Sequence, residues 1–201
     1  GSTLSNLRQL VEDKLIAQWR VMTDIRSREI KDKSNNPADA VLRTLKYEAS
    51  DGIEYFMTYE DPEDRTIFSL LRLRIPSSIV NPDSQQTFEM TTDDAKSQEE
   101  NRDPERVLLP SITDYLPELT WAALIREIHT FGDQMSIGQK WKKFGQHIGF
   151  GKKLMAEAER LAFQHEWVKK MAVIAGVWVQ QYYEKRGYKL EGTYMTKELS
   201  D

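Results

Sequence analysis

The chain has 201 residues, of which 39% are hydrophobic and 30% charged, and its formal net charge is −4. It holds no cysteine, which excludes disulfides, thiolate metal sites and cysteine nucleophiles within this sequence. No apolar run approaches the ~20 residues that a membrane-spanning helix requires. We therefore expect a folded domain with a substantial core, no membrane partner, no bound metal and a cytoplasmic setting.

The charge is unevenly distributed along the chain. Residues 82–118 carry ten acidic and three basic side chains, whereas residues 136–170 carry eight basic and three acidic ones. A basic segment that contains a glycine-rich turn suits a phosphorylated ligand. An ordinary solvated surface is the alternative interpretation of the same charges.

The first half of the chain predicts a helix followed by strands. SNLRQLVEDKLIAQW, residues 5–19, has an apolar stripe and Ser5 as N-cap, and VMTDIRSREIK, residues 21–31, is predicted to be extended. LRTLKYEAS, GIEYFMTYE and RTIFSLLRLRIP are rich in β-branched and aromatic residues and are separated by turn signals. These three segments predict an antiparallel meander.

The second half predicts an alternation of strands and helices. A polar, acidic stretch at about 76–120 comes first, and it predicts a surface insertion or a partly disordered loop. Strands are then predicted for WAALIREIHTF and KKMAVIAG, and helices for MAEAERLAFQ and VWVQQYYEKRG. The last segment, KLEGTYMTKEL, is predicted to form one strand or two. Gly187 fits the position just beyond the second helix, with Tyr188 as its hydrophobic contact. The order predicts an α/β (α+β) domain with a mixed sheet over 36–201, preceded by an extension at 1–35.

The stretch QHIGFGKKL leads into the first of these two helices. That helix has one apolar stripe, which consists of Leu154, Met155, Ala158, Leu161 and Ala162. A helix N-terminus offers free backbone N–H groups and a partial positive charge, and glycines there let the backbone approach a ligand closely. Gly149 and Gly151 therefore predict a pyrophosphate cradle, to which Lys152 and Lys153 add positive charge. Glycines kept only for close packing are the alternative.

The chain resembles the GNAT superfamily of acetyltransferases in two motifs. Gln146-x-x-Gly149-x-Gly151 matches the [QR]-x-x-G-x-[GA] turn that binds the pyrophosphate of acetyl-coenzyme A in that superfamily, and YYEKRGY is similar to a stretch frequent in its next helix. The resemblance is more specific than the superfamily. From about Ser5 to Leu199, apart from the insertion, the chain resembles the acetyltransferase domain of the Elongator catalytic subunit family. The blocks that carry this resemblance are, in order, SNLRQL, DIRSREI, KYEASDGIEYFMTYED, LLRLRIP, IREIHTFG, GQHIGFGKKLMAEAERLA, MAVIAGV and YYEKRGYKLEGTYM.

This resemblance implies a GNAT fold and a set of residues that bind acetyl-coenzyme A. The strand end would pair its backbone with the acetyl and pantetheine arm through Glu127, Ile128, His129 and Thr130. The pyrophosphate would lie on Gln146, Gly149, Phe150, Gly151 and Lys152, with the Phe150 ring in the core.

The resemblance also implies catalytic roles. Tyr183 is expected to contact the coenzyme sulfur and protonate the leaving thiolate, with Tyr182 packing or gripping the acceptor. Glu127 and His129 share a sheet face by alternation and could activate water or an acceptor. The alternatives are that both tyrosines are core residues and that Glu127 and His129 only hydrogen-bond to a neighbouring loop.

The partners that the resemblance implies include RNA. Lys140, Trp141, Lys142, Lys143 and Lys153 mix positive charge with an aromatic ring, as RNA-binding surfaces do. The resemblance implies that these residues contact the anticodon arm of a tRNA. The acetyl group would serve a 5-carboxymethyl-type modification of the wobble uridine. The family's radical S-adenosylmethionine domain, with its iron–sulfur cluster, would lie outside this cysteine-free chain, with residues 1–35 as the link to it. Other Elongator subunits are further expected partners.

Two departures from the family pattern leave alternatives open. Trp178 stands where family members usually have glycine, and the loop 140–145 is unusual; either could narrow the coenzyme site. One alternative function is a GNAT enzyme that acetylates a protein lysine or a small amine. The other is a degenerate module that binds acetyl-coenzyme A or RNA without catalysis.

Overall fold

The structure is a computed structural model that describes residues 6–20, 22–30, 36–49, 52–76, 115–131 and 149–200. Its α-helices within these ranges are α1 (Leu7–Ala17), α2 (Ile25–Arg28), α3 (Phe150–Phe163) and α4 (Gln180–Glu184). Its strands are β1 (Val41–Glu48), β2 (Gly52–Glu60), β3 (Ile67–Pro76), β4 (Ala122–Thr130), β5 (Lys170–Ile174), β6 (Lys189–Glu191) and β7 (Tyr194–Glu198). Short 3₁₀ helices occupy Pro37–Asp39, Pro117–Leu119 and Val177–Val179.

All seven strands form one sheet in the order β1-β2-β3-β4-β5-β7-β6. β1 to β4 are consecutive antiparallel neighbours, β4 and β5 are parallel, and β7 runs antiparallel to both β5 and β6. The predicted meander is therefore confirmed, and the closing segment forms two strands. This is the mixed α/β architecture that the resemblance to the GNAT superfamily implies.

Helix α3 packs against one face of the sheet, which we call the core face. Strand alternation places Tyr55 and Met57 of β2 on this face, together with Leu71 and Leu73 of β3. The predicted stripe of α3 is confirmed, because all five of its members are buried in the same cluster. At about 1.5–3 kcal/mol for each fully buried large aliphatic side chain, this contact is the main force that holds α3 on the sheet.

The segment 22–30 differs from its prediction. The Asp24 side chain accepts a hydrogen bond from the Ser27 backbone N–H at 3.3 Å and starts the single-turn helix α2. Extended pairing is found only at Glu29, which bridges in parallel to Ile67. The prediction of an extended segment is therefore wrong for residues 25–28, because a local cap competes with strand formation.

Helix α1 is confirmed, but it differs in detail from the prediction. It begins after Asn6 at its N-cap position, and Ser5 lies outside the described residues. None of its residues is buried, and Trp19, just beyond its end, is 98% exposed. Its predicted apolar stripe does not pack on the described core.

The end of α4 has the predicted cap. Gly187 has φ +83°, its N–H bonds to the Glu184 carbonyl at 3.0 Å, and the Tyr188 N–H bonds to the Tyr183 carbonyl at 3.2 Å. This pair of bonds is a Schellman motif, and the rings of Tyr183 and Tyr188 pack with centroids 5.8 Å apart. The helix starts later than predicted, since the 3₁₀ turn Val177–Val179 precedes it.

Most of the predicted insertion lies outside the described residues, as do residues 132–148 and the link at 31–35. The proposed division into an extension at 1–35 and a domain at 36–201 therefore remains a prediction. None of the described helices is long and apolar enough to cross a membrane.

Candidate active site

Strand β4 has one edge without a strand partner at its C-terminal end. On the β3 side it is paired through Thr130, whereas on the β5 side the pairing ends at Ile125 opposite Val173. Residues 126–130 therefore have no strand partner toward β5 in the described part of the chain. Their backbone N–H and C=O groups on that side are available to a ligand that binds as an added strand.

Helix α3 begins beside this open edge. Gly149 is its N-cap residue with φ +126°, a conformation that disfavours any L side chain, and no side chain caps the helix. The first intrahelical bond runs from the Lys153 N–H to the Gly149 carbonyl at 2.8 Å. The N–H groups of Gly151 and Lys152 in the first turn consequently have no acceptor within the helix, which gives a positively polarised end suited to an anion.

Gly151 is the point at which α3, β4 and α4 meet. A Cβ at this position would lie 3.0 Å from the Tyr182 hydroxyl oxygen, 3.5 Å from Thr130 Oγ1 and 4.0 Å from Ile128 Cδ1. The helix start therefore approaches both the open strand and a phenol, and a side chain at residue 151 would fill the space between them. The geometry agrees with a binding site for an elongated ligand that has an anionic group at α3.

Tyr182 is half-buried and carries a cation on its ring. The Arg186 guanidinium lies 3.4 Å from the ring centroid, and its Nη1 donates to the Tyr182 carbonyl at 2.5 Å. Burial raises the pKa of Tyr182 above its usual range, and the charge of Arg186 opposes that rise. Tyr182 therefore combines a position at the cradle with a nearby charge that stabilises its phenolate.

Two groups at this site were missed by sequence reasoning. One is Arg186, although its spacing of four residues from Tyr182 is a usable signal for stacking on a helix. The other is Ser69, whose Oγ donates to the His129 carbonyl at 2.7 Å and lies 3.1 Å from Thr130 Oγ1. A serine in the otherwise apolar run IFSLL of a buried strand was the available signal.

Sequence and structure comparisons find relatives that match almost the whole chain. Elongator complex protein 3 of Schizosaccharomyces pombe is 33% identical over 205 residues, and a tRNA uridine(34) acetyltransferase of Dehalococcoides mccartyi is 32% identical over 197 residues. The solved archaeal Methanocaldococcus infernus Elp3 with an N-terminal deletion of residues 1–46 has 30% identity and a TM-score of 0.66 over 98% of this chain. These 201 residues are homologous to a part of Elongator complex protein 3. No protein-family model matches the chain.

The chain spans only about a third of the length of these relatives. It covers 31% of the Schizosaccharomyces pombe protein, 36% of the Dehalococcoides mccartyi protein and 40% of the solved archaeal chain. The similarity thus concerns these 201 residues and their fold. The activity of a whole Elongator complex protein 3 does not transfer to them directly.

The structure brings Tyr182, and not the expected Tyr183, to the start of α3. Tyr183 is 5% exposed and belongs to the core cluster, where it packs edge-on against Tyr182 and Tyr188. Burial, its largest influence, raises the pKa of Tyr183. Its role as proton donor stays a prediction, but of the two phenols only that of Tyr182 is found at Gly151.

Glu127 and His129 share a face as expected, since Glu127 Oε1 lies 3.3 Å from His129 Nε2. That face is opposite the core face, because their strand neighbour Ile128 lies beside Gly151. Glu127 is also paired with Arg72 at 3.1 Å. Their backbone can therefore line the open edge, whereas their side chains face away from the cradle, and a role in activating water or an acceptor remains a prediction.

The remaining predicted residues fall into two groups. Gln146 and the proposed RNA contacts Lys140, Trp141, Lys142 and Lys143 lie outside the described residues. Phe150 is in the core as expected, stacked on Tyr59 with ring centroids 4.6 Å apart, and the exposed Lys153 places its Nζ 5.7 Å from both ring centres. Among the described residues, no group of three or more acidic or histidine side chains could hold a metal ion.

Proposed function

We propose that this chain binds acetyl-coenzyme A between β4 and β5 and is the acetyltransferase part of a tRNA-uridine-modifying enzyme. The observation that carries the proposal is the meeting of the open β4 edge with the α3 N-terminus at Gly151. It is supported by the family relationship, since one relative is named a tRNA uridine(34) acetyltransferase. The chain holds both the positive end and the free strand edge that such a ligand needs.

Binding would divide between two elements of the chain. The N–H groups at the start of α3, together with the exposed Lys152, would hold the pyrophosphate, and Gly149 and Gly151 would let the backbone approach it. The backbone of residues 126–130 would pair with the amides of the pantetheine arm as a neighbouring strand does. Ser69 would keep this strand end in place through its bond to the His129 carbonyl.

The ligand would supply an activated acetyl group, and the chain would stabilise the charge that develops on the thioester oxygen when water or the acceptor adds to the carbonyl carbon, before the C–S bond breaks and the thiolate leaves. A backbone N–H of the open β4 edge can donate to the thioester oxygen. We assign protonation of the leaving thiolate to Tyr182 rather than Tyr183, because the Tyr182 hydroxyl lies against the cradle. Proton transfer from this phenol to the leaving thiolate would leave a tyrosinate, which the Arg186 guanidinium on the ring would stabilise.

We further propose that the acetyl acceptor is the wobble uridine of a tRNA, with the anticodon arm contacted by the basic residues of 140–153. The carbon-radical chemistry that this modification needs would belong to a radical S-adenosylmethionine domain. The cysteine-free chain has no thiolate to ligate an iron–sulfur cluster. Its own contribution would be to hold the thioester and release its acetyl group.

The cradle is tested by calorimetric binding of a non-hydrolysable acetyl-coenzyme A analogue to Gly151→Leu. The leucine side chain would occupy the space between α3 and Tyr182, and we expect affinity to fall at least tenfold while circular dichroism stays that of the wild type. Ala156→Leu is the matched control, because Ala156 is exposed on the same helix. Unchanged binding by Gly151→Leu would mean that the pyrophosphate does not lie there.

The acceptor is tested by acetyl-coenzyme A hydrolysis with and without a tRNA transcript. Stimulation by tRNA is the expected result. Turnover with free amines that ignores tRNA would instead favour a GNAT enzyme acting on lysine or a small amine. Failure of the wild-type chain to bind the analogue at all would favour a degenerate module.

A further inference from the structure

The segment that joins β5 to α4 exposes an unusual amount of apolar surface. Ile174, Val177 and Trp178 are all mostly exposed, and Trp178 is 88% exposed. The ten residues 174–183, IAGVWVQQYY, contain no charged side chain. A surface with these properties suits a neutral, flat group better than a phosphate or a charged peptide.

The Trp178 indole packs on the backbone of Gly176, two residues earlier. A Cβ at Gly176 would lie 3.2 Å from indole atoms Cε2 and Cζ2, so the indole packs directly on the Gly176 backbone. Gly176 has an ordinary φ of −61°, and its lack of a side chain therefore serves the close approach rather than a strained turn. One part of the indole thus contacts the Gly176 backbone, and the rest of its surface is exposed to solvent.

This indole belongs to the same edge of the sheet as the candidate active site. β4 and β5 are parallel, so their C-terminal ends open at the same edge, where α/β proteins commonly bind ligands. Trp178 follows the end of β5 by four residues and precedes Tyr182 by about one helical turn. The Tyr182 hydroxyl lies against Gly151, which connects the indole to the proposed cradle.

We propose that Trp178 is a stacking platform for the adenine ring of coenzyme A, an inference that rests on the proposed function. The start of α3 accounts for the phosphates, and the β4 edge accounts for the pantetheine arm. The adenine is the remaining flat, neutral part of the ligand, and Trp178 is the exposed aromatic side chain in the uncharged segment beside the site. Trp178 is therefore a specificity residue and not an obstruction of the cleft.

The test compares calorimetric affinities for coenzyme A and for 4′-phosphopantetheine, which lacks the 3′-phosphoadenosine 5′-phosphate part of the coenzyme. Stacking of a base on an aromatic side chain is worth enough to change an affinity about tenfold. We expect Trp178→Ala to weaken coenzyme A binding by about that factor and to leave phosphopantetheine binding unchanged. Trp178→Phe should recover part of the loss. Trp19→Ala is the matched control, because Trp19 is also almost fully exposed but follows α1.

The possible results separate this inference from the proposed function. Equal coenzyme A affinities for the wild type, Trp178→Ala and Trp19→Ala would overturn the platform while leaving the cradle intact. A rise in affinity for Trp178→Ala would show that the indole obstructs the site and would also overturn the platform. If Trp178→Ala lost the same factor in affinity for coenzyme A and for phosphopantetheine, the indole would contact the pantetheine arm, and the assignment to adenine would be overturned. A wild-type chain that binds neither ligand would overturn the proposed function and the platform together.

Discussion

Tyr182 and Tyr183 are neighbours in sequence, yet their surroundings suit different tasks. Consecutive residues on a helix are about 100° apart, so only one of them can turn toward α3. Tyr183 fills the core, whereas Tyr182 places its hydroxyl at Gly151 and carries the Arg186 guanidinium on its ring. Burial raises the pKa of both phenols and the charge of Arg186 opposes that rise in both, so it is the position of the hydroxyl at Gly151 that favours Tyr182 as the proton donor.

Tyr182→Phe should remove the proton donor and keep the ring. We expect the rate of acetyl-coenzyme A hydrolysis to fall by about 10²–10⁴, the usual contribution of a general acid, while affinity for the non-hydrolysable analogue stays within about threefold. Tyr183→Phe, the matched control, should change the rate much less. A larger rate loss in Tyr183→Phe than in Tyr182→Phe would restore the assignment made from sequence.

The sequence predicted the two glycines at the start of α3 but not which tyrosine has its hydroxyl beside them. Gly149 and Gly151 could be recognised because glycine is costly at a helix start and the turn matches a known pattern. The direction in which the Tyr182 side chain points depends on the residue at which the five-residue helix α4 begins. The 3₁₀ turn Val177–Val179 moves that start to a later residue. Neither propensity nor periodicity fixes the orientation of so short a helix.

At the level of elements, a bulge in β4 determines which side chains of the open edge face the core and which face away from it. Strict alternation would place Ile125, Glu127 and His129 on one face. The register with β3 shifts at Arg126, so that Ile125 and Ile128 both face the core and Glu127 faces away. The strand itself was predictable from its composition, but the bulge was not, because it depends on pairing with β3.

A second element contact holds the turn between β6 and β7. The Glu118 carboxylate, in the 3₁₀ helix Pro117–Leu119, accepts hydrogen bonds from the Thr193 N–H at 3.1 Å and from its Oγ1 at 3.2 Å. Hydrogen bonds to the backbone, first its own and then that of Thr193, lower the pKa of Glu118. Gly192 has φ +56°, and a Cβ there would lie 2.4 Å from Glu118 Oε1.

Gly192→Ala should therefore destabilise the fold by about 1–3 kcal/mol. About 1–2 kcal/mol comes from a non-glycine residue in the left-handed region, and displacement of Glu118 accounts for the rest. Urea denaturation at neutral pH measures the change. Gly176→Ala is the control, since its φ is ordinary, and it should cost clearly less. An unchanged free energy of unfolding for Gly192→Ala would show that neither the conformation nor Glu118 matters at residue 192.

At the scale of the whole molecule, α3 is attached to β2 at both of its ends. Its first residue, Phe150, stacks on Tyr59, and His165, just beyond its last turn, lies with Nε2 3.1 Å from the Tyr55 hydroxyl. The apolar stripe of α3 holds the middle. The position of the start of α3 relative to β4 thus depends on contacts along the whole helix. We therefore expect a substitution at the His165 end to lower the free energy of unfolding of the whole domain.

His165 makes that stability dependent on pH. Burial first, and the charge of Lys46 second, lower the pKa of His165 in the folded state below its usual value of about 6.5. The unfolded chain then binds the proton more readily than the folded one, so stability is present above that value and is lost as pH falls through it. The free energy of unfolding, measured by urea denaturation, should be lower at pH 5.5 than at pH 7.5. His165→Gln should reduce this difference, whereas His129→Gln, at an exposed position on β4, should preserve it. If His165→Gln leaves the difference unchanged, then groups other than the histidine at the end of α3 cause the pH dependence.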